Sequence, residues 1–142
     1  MKKLDIYIDG GSRGNPGPSA IGVVFFEGKK VLKEYSHYLG KASNNEAEYQ
    51  ALIFALKKAK SYFGKKKVKD LPIEIFSDSK LLVKQMKGEY KIKEPNIQKL
   101  FIEAWNLKID FKKLKFTLVS RDENKRADRL VNQELDSQRK LF

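Results

Sequence analysis

Apolar and polar residues alternate along Leu4-Asp5-Ile6-Tyr7-Ile8-Asp9, a period-two pattern with β-branched and aromatic character that predicts a strand ending on a carboxylate. Gly10 to Pro18 is dense in glycine and proline, which argues against helix or strand there and lets the backbone come close to something bulky. Ala20 to Phe26 and Lys30 to Leu39 are two further β-prone runs joined by the short turn Glu27-Gly28-Lys29, so the first third of the chain predicts a three-stranded antiparallel meander. From Ser43 the period changes. Ser43-Asn44-Asn45-Glu46 has the form of a capping box, and apolar residues then recur at helical spacing to about Phe63. Ala51, Leu52, Ala55, Leu56 and Ala59 form the buried stripe; counting back three and four residues from its start reaches Glu48, which therefore heads the inward face. Glu46 falls on the outward side and closes the capping box.

Gly64 to Asp70 reads as a basic linker, and Pro72 to Ser77 as a short buried strand followed by a second carboxylate, Asp78. Ser79 to Lys87 predicts a short helix stopped by Gly88, and Pro95 opens another through Leu100, Phe101, Ala104 and Trp105 to about Leu107. Lys115 to Val119 is the last strand and Asn124 to about Arg139 the last helix, with Ala127, Leu130, Val131 and Leu135 on its apolar face and Asp128 at the edge of that face. This order describes an α/β sheet whose fourth and fifth strands can run parallel to the first. Ligands in such sheets collect at the carboxyl ends of parallel strands. Asp9 and Asp78 stand at such ends, and docked helices can bring Glu48 and Asp128 to the same place.

Composition narrows the partners. At 142 residues with 41% hydrophobic side chains, residues 1–142 are expected to form one domain, and a monomer is the default. The chain has no cysteine, which excludes disulfides, zinc-thiolate sites and thiol nucleophiles. No apolar run is long enough to span a membrane and no signal peptide is evident, so a soluble, cytoplasmic protein without a membrane partner is expected. Thirty Lys and Arg against eighteen Asp and Glu give a net charge of +12, which points to a polyanion, nucleic acid first. The alternative is the lysine-rich surface of a heat-stable protein.

Four carboxylates gathered in so basic a chain would repel one another unless a cation neutralised them. Mg²⁺ and Mn²⁺ suit such a site, and two divalent ions can activate a water and stabilise the leaving oxygen in phosphodiester hydrolysis. Singly, each residue has a plainer explanation: a turn residue (Asp9), a helix cap (Asp78), a stray helix charge (Glu48) or a solvated position (Asp128).

The segments Asp9-Gly-Gly-Ser-Arg-Gly-Asn-Pro-Gly-Pro18, Asn44-Asn-Glu-Ala-Glu48, Ser77-Asp-Ser79 and Asn124-Lys-Arg-Ala-Asp128, in that order and spread over nearly the whole chain, resemble the four signature blocks of type 1 ribonuclease H. The resemblance implies a five-stranded mixed sheet flanked by helices. It also implies endonucleolytic cleavage of the RNA strand of an RNA–DNA hybrid to 5′-phosphate and 3′-hydroxyl ends. Asp9, Glu48, Asp78 and Asp128 match the family's four metal-binding carboxylates. By that analogy Asp9 bridges two Mg²⁺ or Mn²⁺ ions, Asp78 and Glu48 hold the ion nearer the leaving oxygen, and Asp128 holds the ion that activates water. Ser12, Gly14, Asn15, Asn44 and Asn45 would meet RNA 2′-hydroxyls or base edges, which short groups and bare backbone reach best across a wide, shallow groove. Ser43 with Asn45 would hold a phosphate of the DNA strand.

The chain also departs from the family. Its only histidine, His37, lies in the third predicted strand, far from the loop before the last helix where many members carry one. Arg121 stands in that loop, as in the histidine-lacking branch of archaeal and some bacterial members; it can attract the scissile phosphate but cannot shuttle protons. Glu123 is either an extra acidic group or a helix-start residue, and Lys80 stands where a base-contacting Gln is frequent. The family's basic protrusion is missing between Gly88 and Pro95, where Lys87, Lys91 and Lys93 flank Tyr90 and supply a reduced grip on nucleic acid. Lys65, Lys66, Lys67 and Lys69 form a second basic patch, read first as a solvated turn. The segment Gln138 to Phe142 resembles the end of a sliding-clamp binding peptide but lacks most of that motif, and it is expected to pack on the domain. Three alternatives stand beside hybrid cleavage: a broader ribonuclease that also cuts double-stranded RNA, a catalytically silent hybrid-binding module, and a DNA-directed nuclease or recombinase on the same fold.

Overall fold

The computed structural model describes residues 1–139; part of the C-terminal segment expected to pack on the domain, residues 140–142, lies outside them. The elements run β1 (Leu4–Ser12), β2 (Gly17–Glu27), β3 (Lys30–Ala42), α1 (Asn44–Phe63), α2 (Lys65–Asp70), β4 (Ile73–Ser77), α3 (Lys80–Met86), α4 (Pro95–Lys108), β5 (Leu114–Leu118) and α5 (Lys125–Arg139), the last preceded by a 3-10 turn at Asp122–Asn124. They form the five-stranded mixed sheet expected, in the order β3-β2-β1-β4-β5. β1, β2 and β3 are antiparallel neighbours, while β4 and β5 run parallel to β1. Among the described residues no helix is long and apolar enough to cross a membrane.

Strand alternation divides the two faces. Leu4, Ile6 and Ile8 of β1, with Ile21, Val23 and Phe25 of β2 and Ile73 and Ile75 of β4, are buried in one core with Leu52, Ala55, Leu56 and Ala59 of α1. The other face of β2 receives α5, whose Val131 and Leu135 pack on Ala20. Gly22 lies there, and a Cβ at this position would overlap the Ala127 carbonyl, so the absent side chain sets how closely α5 approaches.

Several boundaries differ from the sequence reading for identifiable reasons. β1 does not end at Asp9: Gly10, Gly11 and Ser12 continue the ladder opposite Ile21, Ala20 and Ser19, and Gly17 and Pro18 open β2 opposite Ala42 and Lys41, because pairing with the neighbouring strand overrides the low strand propensity of glycine and proline. The segment read as a linker contains the short helix α2, pinned by the fully buried Val68. Ser79, not Asp78, caps α3, its Oγ accepting from the Leu82 N–H at 3.2 Å. Trp105 is 45% exposed, and only Ile97 and Ala104 of α4 are buried.

Candidate active site

Three elements meet where the parallel strands end. β1 delivers Asp9, which lies just beyond the stretch of β1 paired with β4. Asp78 follows the last residue of β4, and the turn that carries it is fixed on both sides: Ser77 Oγ accepts from the Ser79 N–H at 3.0 Å, and Ser79 then caps α3. Glu48 projects from the start of α1, an end fixed by the capping box, with Ser43 Oγ accepting from the Glu46 N–H at 3.1 Å and Glu46 Oε1 accepting from the Ser43 N–H at 2.9 Å. The Gly10 N–H donates to Glu48 Oε1 at 2.7 Å. A Cβ on Gly10 would overlap the backbone of Ala47 and Glu48, so this glycine is what lets α1 bring Glu48 against β1.

Oxygens of Asp9, Glu48 and Asp78 lie within 4.8 Å of one another. Asp9 is 6% and Glu48 8% exposed. Asp128, exposed on the first turn of α5, lines the same cleft of about 580 Å³, together with Ser12, Asn44, Asn45, Lys80 and Arg121. Burial and then the charges of Asp78 and Asp128 push the Asp9 carboxyl up to about 8. Glu48 is raised well above the usual carboxylate range by burial, with Asp9 and Asp78 adding to it. Burial also raises Asp78, against the opposing pull of the Asn124 side chain and the Arg121 guanidinium. Fully ionised, the group would therefore hold more negative charge than its surroundings stabilise.

The glycine loop and the start of α1 are tied to each other. Asn44 Oδ1 accepts from the Ser12 N–H at 2.9 Å, and Asn15 Oδ1 accepts from the Asn44 N–H at 2.9 Å. Ser12 Oγ is buried in this corner without a hydrogen-bond partner. Gly14 sits at the tip of the loop with φ +105°, outside the residues that line the cleft, as do Asn15 and Ser43. Arg13 reaches across to α5, where Nη2 meets Asp136 at 2.8 Å and Asn132 at 3.3 Å. Glu123 does not turn to the carboxylates: its Oε1 accepts from the Ser120 N–H at 3.1 Å and hydroxyl at 3.0 Å, which starts the 3-10 turn. His37 stacks on Phe54, with ring centroids 5.7 Å apart.

Two residues with work at this site were not singled out from sequence. Gly10 holds Glu48, as described. Asn124, 1% exposed, donates its amide to the Ile8 carbonyl at 2.8 Å and so ties the turn before α5 to the strand that carries Asp9. Its place at the head of the Asn124-to-Asp128 block was the available signal.

Buried carboxylate oxygens this close, without a full set of positive partners, form the hard-oxygen donor set that divalent cations take, and the residues present fit such ions. The family described as Reverse transcriptase-like matches residues 7–134. Bifunctional protein Rv2228c of Mycobacterium tuberculosis is 39% identical over 137 residues, covering 95% of this chain and 36% of that protein. Ribonuclease HI of Halobacterium salinarum is 39% identical over 135 residues, covering 94% of this chain and 65% of that protein. The chain thus spans about a third to two thirds of the length of these curated relatives. Among solved structures, LC11-RNase H1 in complex with RNA/DNA hybrid superposes with a TM-score of 0.91 at 43% identity, covering 96% of this chain and 99% of that one.

Proposed function

This chain belongs to the type 1 ribonuclease H family, and on that premise we propose that it cleaves the RNA strand of RNA–DNA hybrids endonucleolytically, leaving 5′-phosphate and 3′-hydroxyl ends. The observation that carries the reading is the meeting of Asp9, Glu48 and Asp78 within 4.8 Å, in a cleft walled by the glycine loop and by Arg121, on a chain of charge +12.

Asp9, Glu48, Asp78 and Asp128 would hold two divalent cations, Mg²⁺ or Mn²⁺. When bound, these ions supply a nucleophilic water and stabilise the departing 3′-oxygen. Everything else is positioning by the chain. Asp9 sits on a strand paired on both sides, and the Gly10 amide fixes Glu48, so the donors are set before substrate arrives. Ser12, Gly14, Asn15, Asn44 and Asn45 present small polar groups and bare backbone to the minor groove, where a 2′-hydroxyl distinguishes RNA from DNA. Ser43 and Asn45 stand at the start of α1, where a phosphate of the uncleaved strand is received. Arg121 draws the scissile phosphate toward the carboxylates.

Cleavage of end-labelled hybrid, double-stranded RNA and double-stranded DNA of one sequence, with Mg²⁺, with Mn²⁺ and with chelator, tests this for the wild type and Asp9→Asn. Metal-dependent cuts confined to RNA strands and lost in Asp9→Asn are expected. The ratio of hybrid to double-stranded RNA cleavage decides between a strict and a broad ribonuclease. Hybrid binding without cleavage under every metal condition would leave only a binding module.

A further inference from the structure

The carboxylates of the site occupy one end of the sheet; the opposite end is rich in exposed lysine. Leu4, Ile73 and Leu114 lie side by side at the amino ends of β1, β4 and β5. The chain leading into each is held at that level. The Leu4 N–H donates to the Pro72 carbonyl at 2.9 Å, the Ile73 N–H to the Lys113 carbonyl at 2.9 Å, and the Lys112 N–H to the Lys69 carbonyl at 3.1 Å. These bonds gather Lys2, α2 with Lys65, Lys66, Lys67 and Lys69, and the turn with Lys112 and Lys113 along one edge, and all seven lysines are exposed. The acidic residues at this end are mostly engaged by other lysines: Lys3 Nζ lies 3.2 Å from Asp5 and 2.5 Å from Glu74, and the hydrogen bond from Lys60, with Lys65 adding to its pull, holds the Asp110 carboxyl below its usual range. Lys112 Nζ lies 3.9 Å from Asp70, and Asp110 pairs with Lys60 at 2.5 Å. Among the described residues, Lys2, Lys65, Lys66, Lys69 and Lys113 have no carboxylate within ion-pair reach.

This arrangement works against the local fold. Lys65 and Lys66 stand four and three residues before Lys69 on a six-residue helix, spacings at which like charges repel. No side chain caps α2, and Val68 is its only buried residue. Asp70, four residues after Lys66, offsets only part of this charge, and a local violation compensated only in part is expected where a partner supplies the missing charge. Charge complementarity names the partner: closely spaced exposed ammonium groups along an edge suit a phosphate backbone, each contact releasing a counterion. The hybrid in the cleft does not provide it, since five strand residues, about 16 Å, separate Leu4 from Asp9 and Ile73 from Asp78, and the two surfaces face opposite ways.

We infer that the amino edge of the sheet, centred on Lys65, Lys66 and Lys69, is a second binding surface for nucleic-acid backbone, which holds a segment other than the one being cleaved and keeps the protein on long polynucleotides. It rests on the proposed function only for what is cleaved; binding at the edge is read separately. The test uses the full chain with Lys65, Lys66 and Lys69 all changed to Gln, and a second variant with all three changed to Arg. Binding to long duplex DNA is measured in chelator against salt concentration. Cleavage is measured on a bare hybrid of about ten base pairs, one duplex turn, and on the same hybrid flanked by long duplex DNA. The Gln variant is expected to lower the slope of log affinity against log salt by about 2 to 3. It should lose several-fold in cleavage of the flanked hybrid and match the wild type on the bare one, and the Arg variant should behave as wild type throughout.

An unchanged slope overturns the inference, as would happen if the patch served an acidic protein or was merely solvated. An equal loss on bare and flanked hybrids also overturns it, because the lysines would then serve the catalytic face or the fold. Failure of the Arg variant to retain the wild-type slope would show that charge is not the cause. A wild type that cleaves no hybrid refutes the proposed function while leaving the salt slope to decide this one.

Discussion

At the scale of single residues, the site depends on groups that exclude their neighbours as much as on groups that act. Asp9 is expected to be indispensable: Asp9→Asn keeps the shape but removes a charged oxygen, and hybrid cleavage in Mg²⁺ should fall by more than the 10–100-fold typical of groups that only orient a metal ligand, measured as initial rates at saturating metal. Gly10 is the structural counterpart. In Gly10→Ala the new methyl meets the Ala47 backbone, so α1 must move away; urea denaturation should show a loss of about 1–3 kcal/mol. Glu48 would shift with it, and activity should fall further than stability explains. The acidic residues of the site were legible from sequence because each follows an alternating apolar run or lies on a helical face that periodicity marks. Gly10 and Asn124 were not, since a backbone N–H and an amide that grips another strand's carbonyl leave no periodic trace.

At the scale of elements, α1 carries the most. Its capping box fixes the first turn, which presents Asn44 and Asn45 to the cleft and sends Glu48 inward. Ser43→Ala should cost about 1 kcal/mol of stability, read by denaturant midpoint. It should also raise the KM for hybrid more than it lowers kcat, because the asparagines lose their register while the carboxylates stay packed. This element was readable in the sequence from cap to stop, as capping chemistry and helical spacing are both local. The glycine loop and α2 were misjudged for the converse reason. Glycine disfavours regular structure locally and like-charged lysines repel along a helix, yet β2 pairs with Gly10 to Ser12 and the core takes Val68, and those partners are distant in sequence.

At the scale of the whole molecule, charge is segregated: a buried acidic cluster at the carboxyl ends of the parallel strands, lysines at their amino ends. This division has a thermodynamic signature. Asp9 titrates near 8 in the folded chain against 3.8 as a free side chain, so the folded state keeps a proton that the unfolded state releases. Its contribution to stability is complete below about pH 4 and is lost as the pH rises toward 8. In chelator the melting temperature should therefore fall across that window; Mg²⁺ should restore it at neutral pH, and Asp9→Asn should flatten the fall. A melting temperature that does not depend on pH or Mg²⁺ between these limits would contradict the burial and charge repulsion described. The sequence by itself determined the order of elements, the strand and helix positions of the four carboxylates and the excess of positive charge, because periodicity, capping and composition act over a few residues or over none. Only the tertiary structure decided that three carboxylates share one small volume, that glycine continues a strand, and that seven scattered lysines line one edge. Those facts depend on which distant segments pair, and pairing is set by burial and hydrogen bonding across the whole sheet.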